Sequence, residues 1–319
     1  MAKSTWSEDI AAGRTVVIDG GTGAELQRRG VPVDPVCWHA RAALTHHADL
    51  VAVHVDFINA GASVITTNTF ATHSYVLKEA GYHAEYARLA HASVTAARRA
   101  RIETGIEVEI AGAISCMPPG FDIENYPDER ACRAAYVQQA HTLADLGVDV
   151  IALEMIQDVR HGGWALDAAI ATGLPVWLGI ACRKHPVSDE LVCFDAPDTT
   201  LVSLLDELLA RKPDVVNIMH SPLTAIGSAF ETIREQWSGS IGVYPEVGSF
   251  DAVNRVRTER ISPSAFSAAA KKWIGQGTVL IGGCCGATPS HIAALVDDLE
   301  ELNRSLAPRP AYSSSVEHE

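Results

Sequence analysis

Two cysteines stand side by side, Cys284 and Cys285, inside the stretch Gly282-Gly283-Cys284-Cys285-Gly286. Adjacent cysteines seldom bond to each other, because the ring they would close is strained. Glycines on both sides allow the unusual backbone angles that let two thiols face one point. Thiolates favour zinc among the common metals, so the pair reads as two metal ligands. Two inert buried thiols, or a redox or nucleophilic Cys284, are the alternatives. The chain has seven cysteines, an odd number, in spacings unlike a disulfide framework.

Such a turn needs a scaffold. Eight short apolar or β-branched runs recur along the chain: 15–18, 63–66, 108–113, 148–153, 175–180, 214–217, 240–244 and 278–281. They show little alternation, as expected of parallel strands buried on both faces. Between them lie amphipathic stretches such as 46–61, 128–147 and 197–212, closed by Gly61, Gly147 and Pro213. Eight alternating strand and helix units most simply close into a (β/α)8 TIM barrel. The expected organisation is an N-terminal extension at 1–12, one barrel at 13–305, and a Pro- and Ser-containing disordered tail at 306–319. A doubly wound sheet is the alternative, but Asp19-Gly20-Gly21-Thr22-Gly23 does not match a Gly-x-Gly-x-x-Gly dinucleotide turn.

Composition narrows the partners. Of the 319 residues 47% are hydrophobic and 20% charged, an ordinary globular balance. The formal net charge of −14 repels phosphate backbones and anionic lipid heads. Neither nucleic acid nor a membrane is expected as a partner, and no apolar run approaches the ~20 residues of a membrane span. Residues 1–12 carry Glu8 and Asp9 and lack the pattern of a secretory leader, so a cytoplasmic protein is expected. Barrel exteriors commonly carry dimer faces that look like ordinary helices, which leaves a homo-oligomer open.

In a barrel the chemistry sits where the strands' C-terminal ends meet the loops. Reading there gathers Asp19 and Gly20 after the first run, Asn68 and Thr69 after the second, and Ser115 and Cys116 after the third. Glu154 follows the fourth run, Cys182 and Arg183 the fifth, Ile218 to His220 the sixth, Tyr244 to Gly248 the seventh, and the cysteine pair the eighth.

Five of these segments, in order, resemble the homocysteine S-methyltransferase family, which includes the homocysteine domain of methionine synthase and the betaine and S-methylmethionine enzymes. Gly282 to Pro289, continuing to His291-Ile292, is similar to the family's zinc-binding strand. Asp19-Gly20-Gly21-Thr22-Gly23 resembles its opening strand, Thr67-Asn68-Thr69-Phe70 its second, Leu153-Glu154-Met155-Ile156 its fourth and Tyr244-Pro245-x-x-Gly248 its seventh. The resemblance runs from about Thr15 to Leu302. It implies a (β/α)8 barrel whose Zn2+ holds a small thiol, homocysteine or a relative, as the thiolate that takes a methyl group. It also implies that Cys284 and Cys285 are zinc ligands and catalytic, that Asp19 and Glu154 meet the substrate ammonium, and that Gly20, Asn68 and Thr69 line its pocket. The methyl donor stays open among a betaine, a sulfonium, a folate and a corrinoid, the last carried by a separate protein.

The sixth strand departs from the family, which reads Asn-Cys where this chain reads Asn217-Ile218. The third zinc cysteine is therefore missing from its place. His220, Glu246 or Cys182 is expected to supply the third ligand. A zinc hydrolase or lyase, or a non-catalytic barrel that has lost the metal, are the competing readings.

Overall fold

The computed structural model describes residues 4–251 and 256–306. Most of the expected tail, 307–319, lies outside the described residues. Eight parallel strands make one sheet: β1 (Val16–Val17), β2 (Val64–Thr66), β3 (Glu109–Ser115), β4 (Val150–Ile156), β5 (Val176–Ile180), β6 (Val215–Met219), β7 (Ser240–Tyr244) and β8 (Leu280–Ile281). Their order is β1-β8-β7-β6-β5-β4-β3-β2. A bridge from Ile18 to Val64 closes the ring between β1 and β2, supported by the Ser63 N–H to Val17 O and Asp19 N–H to Val64 O hydrogen bonds at 2.7 and 3.1 Å. The expected (β/α)8 barrel is what the chain forms.

A helix follows each strand and packs outside it, among them His47–Asn59, Glu129–Asp145, Leu201–Leu208 and Leu223–Gln236. Asp128 and Thr200 cap the second and third of these by accepting from Ala131 N–H and Ser203 N–H, worth about 1 kcal/mol each. Two apolar layers result. The outer one joins strand residues such as Ile151, Leu178, Val216, Ile218 and Val243 to the helices. The inner one fills the barrel with Val16, Val64, Val150, Trp177, Val215 and Leu280. Trp6, on the N-terminal helix Trp6–Ala11, joins the inner layer and meets Trp177 edge-on at 5.3 Å between ring centroids. Every strand thus buries both faces, which is why the runs read as continuously apolar.

Three differences from the sequence reading matter for the site. Strand β4 continues through Glu154 to Ile156, so Glu154 is a strand residue and not a loop residue. Strand β6 continues to Met219, and Ile218 points into the outer layer, away from the barrel interior. The stretch after β5, where the sequence reading named only Cys182 and Arg183, folds into an antiparallel hairpin of Cys182–Lys184 with Leu191–Cys193. A second hairpin, Ser249–Asp251 with Val256–Glu259, follows β7.

Candidate metal centre and substrate cavity

The strands' C-terminal ends surround a cavity of about 1010 Å³. Asp19, just past β1, is buried, and Thr66 donates to both its carboxylate oxygens, through N–H at 2.8 Å and Oγ1 at 2.9 Å. Burial outweighs those bonds and pushes its pKa up to about 7. Glu154 projects inward from β4 and lines the same cavity. Burial, then the negative charges of Asp19 and Cys285, push it up to about 8. Two buried carboxyl groups facing one cavity would suit a cationic group, whose arrival favours their ionised forms.

The cysteine turn is held by both neighbouring strands. Cys284 N–H donates to Pro245 O and Val247 N–H to Cys285 O, each at 2.8 Å, beyond β7. On the β1 side Gly21 N–H donates to Cys284 O at 3.1 Å. A Cβ on Gly21 would lie 2.9 Å from that same oxygen, so only glycine allows the two turns to touch. Gly286 has φ 88°, the left-handed conformation that bends the chain back after the thiols.

His220 completes the group. Alternation along β6 points Val215 and Met219 inward and Val216 and Ile218 outward. That rhythm would turn residue 220 out as well. Instead His220 adopts φ 48°, pinned by its N–H on Tyr244 O at 3.2 Å, and its ring lines the cavity. Its Nδ1 lies 3.5 Å from Cys284 Sγ, and Phe194 from the first hairpin packs edge-on against it at 5.0 Å. One ligand atom from each of His220, Cys284 and Cys285 lies within 4.8 Å of the other two. A tetrahedral zinc with bonds near 2.0–2.3 Å would separate its ligands by roughly 3.3–3.8 Å, a scale this cluster approaches. The Cys2His donor set fits zinc, and its remaining side faces the cavity, where a fourth ligand has room.

Other expected residues fall elsewhere. Cys182 is buried, its N–H donates to Ser221 Oγ at 3.0 Å and its thiol lies 3.6 Å from that oxygen, outside the cluster. Burial pushes its thiol up to about 11. Glu246 lines the cavity but is not among the three clustered residues. Gly20 and Asn68 line the cavity, Asn68 donating to His39 O at 2.8 Å. Thr69, expected in the pocket, is turned away. It is fully buried and donates to Ala113 O at 2.7 Å, because the turn after β2 uses its hydroxyl to tie that turn to β3. Arg183, Lys184 and His185 serve their own hairpin, through Phe194 O, Asp189 and the N–H groups of Val187 and Ser188.

Several cavity residues escaped the sequence reading. Trp38 and His39 sit on the loop after the short helix Thr22–Arg28, where no periodicity marks them. Met155 enters beside Glu154, because the β4–β5 register shifts between Leu153 and Ile156 and Met155 takes φ 53°. Five non-glycine residues have positive φ among the described residues, and three of them, Trp38, Met155 and His220, line this cavity. Left-handed backbone at such residues is costly, and its concentration here marks a functional site. Tyr244 lines the cavity too, and burial holds its hydroxyl well above the ordinary phenol range, protonated and able to donate.

The family model described as homocysteine S-methyltransferase matches residues 16–299. A selenocysteine methyltransferase of Astragalus bisulcatus is 24% identical, over 89% of this chain and 92% of its own length. A betaine–homocysteine S-methyltransferase 1 of Pongo abelii is 26% identical, over 96% of this chain and 78% of its own. Among solved structures, the metallated form of the homocysteine methyltransferase MmuM of Escherichia coli superposes with a TM-score of 0.74 at 21% identity, covering 92% of this chain and all of that one. That last likeness shows the shared barrel.

Proposed function

Because the chain belongs to the homocysteine S-methyltransferase family and is a methyltransferase of that family, we propose that it methylates the sulfur of a small amino thiol, homocysteine or a close relative, at a Cys2His zinc site. The observation that carries this reading is the convergence of His220, Cys284 and Cys285 at the mouth of a cavity that also holds Asp19 and Glu154. Cys284, Cys285 and His220 would hold the ion. Zinc bound there would supply the Lewis acidity that keeps a substrate thiol deprotonated at neutral pH.

The chain's own residues orient the acceptor. Asp19 and Glu154 take its ammonium group, and Thr66 fixes the Asp19 carboxylate in place. The acceptor sulfur then faces the open cavity, in line with an incoming methyl group. A carbon–sulfur bond forms, the bond from methyl to the donor heteroatom breaks with its electron pair, and the thiol proton goes to solvent.

The cavity lining favours a positively charged donor, a betaine or a sulfonium. Trp38, Phe70 and Phe194 supply aromatic faces and edges and Asp195 a carboxylate, while none of the described lining residues is Lys or Arg. Aromatic faces attract onium groups, and an acidic, cation-free rim suits neither a folate tail nor a phosphate-bearing corrinoid.

Metal analysis beside Cys284→Ser, Cys285→Ser, His220→Ala and Glu246→Ala tests the site. One zinc per chain, lost in the first three variants and kept in the last, is the expected result. Thiol-dependent methyl transfer from glycine betaine or S-methylmethionine is the expected activity. A zinc-loaded protein that turns over substrate without any thiol acceptor would overturn the proposal in favour of a hydrolase or lyase.

A further inference from the structure

Asp195 lines the cavity from its mouth, exposed, on the turn that leaves the first hairpin. Gln157, the residue after β4, holds it in two directions. Asp195 N–H donates to Gln157 Oε1 at 2.7 Å, and Gln157 Nε2 donates to Asp195 Oδ2 at 3.0 Å. Gln157 is itself buried, and its Nε2 also lies 3.7 Å from Met117 Sδ, beyond β3. The side-chain bond takes up one carboxylate oxygen and neutralises no charge. The cations of the hairpin are spent elsewhere: Arg183 donates to Phe194 O at 2.7 Å and Lys184 pairs with Asp189 at 2.8 Å. None of the described lining residues is Lys or Arg. A carboxylate whose direction is fixed and whose charge is unmatched attracts a cation that comes beside it.

The neighbours of Asp195 say which cation. Phe194, adjacent in sequence, packs edge-on against the His220 ring at 5.0 Å between centroids, which puts Asp195 on the metal side of the mouth. Asp19 and Glu154 serve the ammonium of the acceptor, so Asp195 is left to the second substrate. We propose that Asp195, held by Gln157, is the counter-ion that selects a cationic methyl donor. The inference deepens, and rests on, the reading of the chain as an S-methyltransferase that uses a betaine or a sulfonium. Charge balance says which kinetic constant it sets. As the methyl group passes from onium to thiolate, the positive charge of the donor and the negative charge of the acceptor disappear together. A fixed anion beside the onium therefore stabilises the bound donor more than the transition state. Asp195 acts in capturing the donor and in letting go of the neutral thioether or amine that remains, not in the methyl-transfer step.

Replacing the charge on the donor and on the protein, singly and together, tests it. Kinetics at saturating L-homocysteine measure KM and kcat for S-methyl-L-methionine and glycine betaine. The carbon isosteres L-homoleucine and 3,3-dimethylbutanoate, which have the shape of each donor without its onium charge, serve as competitive inhibitors. Asp195→Asn should raise KM of a donor that turns over by about 3–10-fold, the scale of an ion pair near solvent, with kcat unchanged or higher. The inhibition constant of the matching isostere should not weaken by more than about 1.5-fold, because it brings no cation to lose. Asp195→Glu should recover part of the loss. Gln157→Leu, which keeps the charge but frees it, should raise KM by a smaller factor. Melting curves check that the variants still fold. An unchanged KM in Asp195→Asn, or equal weakening of donor and isostere, overturns the role of Asp195 while leaving the methyltransferase reading intact. Failure of both onium compounds to methylate homocysteine in the unmodified, zinc-loaded protein overturns the onium reading and this inference together.

Discussion

The barrel interior has two ends with opposite physics. At the floor Trp6, Val16, Val150, Trp177 and Leu280 pack apolar surface against apolar surface. At the rim, the C-terminal ends of the strands present Asp19, Glu154 and His220 to the cavity, with Cys284 and Cys285 beside them. Floor side chains gain free energy from leaving water, about 1.5–3 kcal/mol for each large apolar group. Rim groups lose hydration, which raises the pKa of Asp19 and Glu154, and the chain there takes left-handed backbone at Met155 and His220. One end stores the stability that the other spends on a preorganised site. Changes at the floor should therefore move melting temperature and spare chemistry, while changes at the rim should move chemistry and shift melting temperature only where a buried carboxyl is neutralised.

The largest effect is expected at the rim. Cys284→Ser or His220→Ala should lower thiol-dependent methyl transfer by roughly two to three orders of magnitude or more, with zinc lost on metal analysis and little change in the melting curve of the metal-free protein. Next comes the carboxylate pair. Glu154→Gln should weaken L-methionine, a thiol-free probe of the ammonium site, by about 10–100-fold in calorimetry. In the unmodified protein the affinity for that probe should fall as pH drops through about 8 and about 7, because both carboxyls must ionise to hold an ammonium and protons then compete. Affinity that stays flat from pH 9 to 6 would remove these two residues from the ammonium site.

The same two groups give a stability signature of the opposite sense. Their folded pKa values lie above the ordinary carboxyl values, so the folded chain binds more protons than the unfolded one between about pH 4 and pH 8. Stability then falls as pH rises through that window. Glu154→Gln should raise the melting temperature of metal-free, ligand-free protein at pH 9 and leave it nearly unchanged at pH 4. At the floor, Trp6→Ala should cost about 3–5 kcal/mol in denaturant unfolding while keeping kcat/KM of the folded fraction within about threefold. The smallest effect is expected of Ile218→Cys. It restores the family's residue at a position that faces the outer layer, so zinc should stay at one per chain, at a stability cost of about 1 kcal/mol. Zinc retained in the double variant Ile218→Cys, His220→Ala would show that residue 218 can reach the cavity after all.

The sequence carried the scaffold because its signals are local. Apolar runs too short for helices, buried on both faces, and the amphipathic stretches between them specify strand and helix with no knowledge of the rest. Glycines at Gly21 and Gly286 flag the close approach and the left-handed turn of the cysteine site. Asp19 and Glu154 were singled out by register, although Glu154 lies within a strand that runs two residues beyond it. Thr69 was misplaced by the same logic, since its hydroxyl serves a neighbouring strand.

Residue types and their order along the chain thus determined the barrel, the family and the cysteine turn. Of the candidates His220, Glu246 and Cys182, the fold gathers His220 with Cys284 and Cys285: a single left-handed residue turns His220 inward, Cys182 lies against Ser221, and Glu246 lines the cavity outside the cluster. Alternation along a strand is a local rule. The backbone angle that breaks it at residue 220 is held by a hydrogen bond to Tyr244, twenty-four residues on in sequence, and only the closed barrel brings the two together.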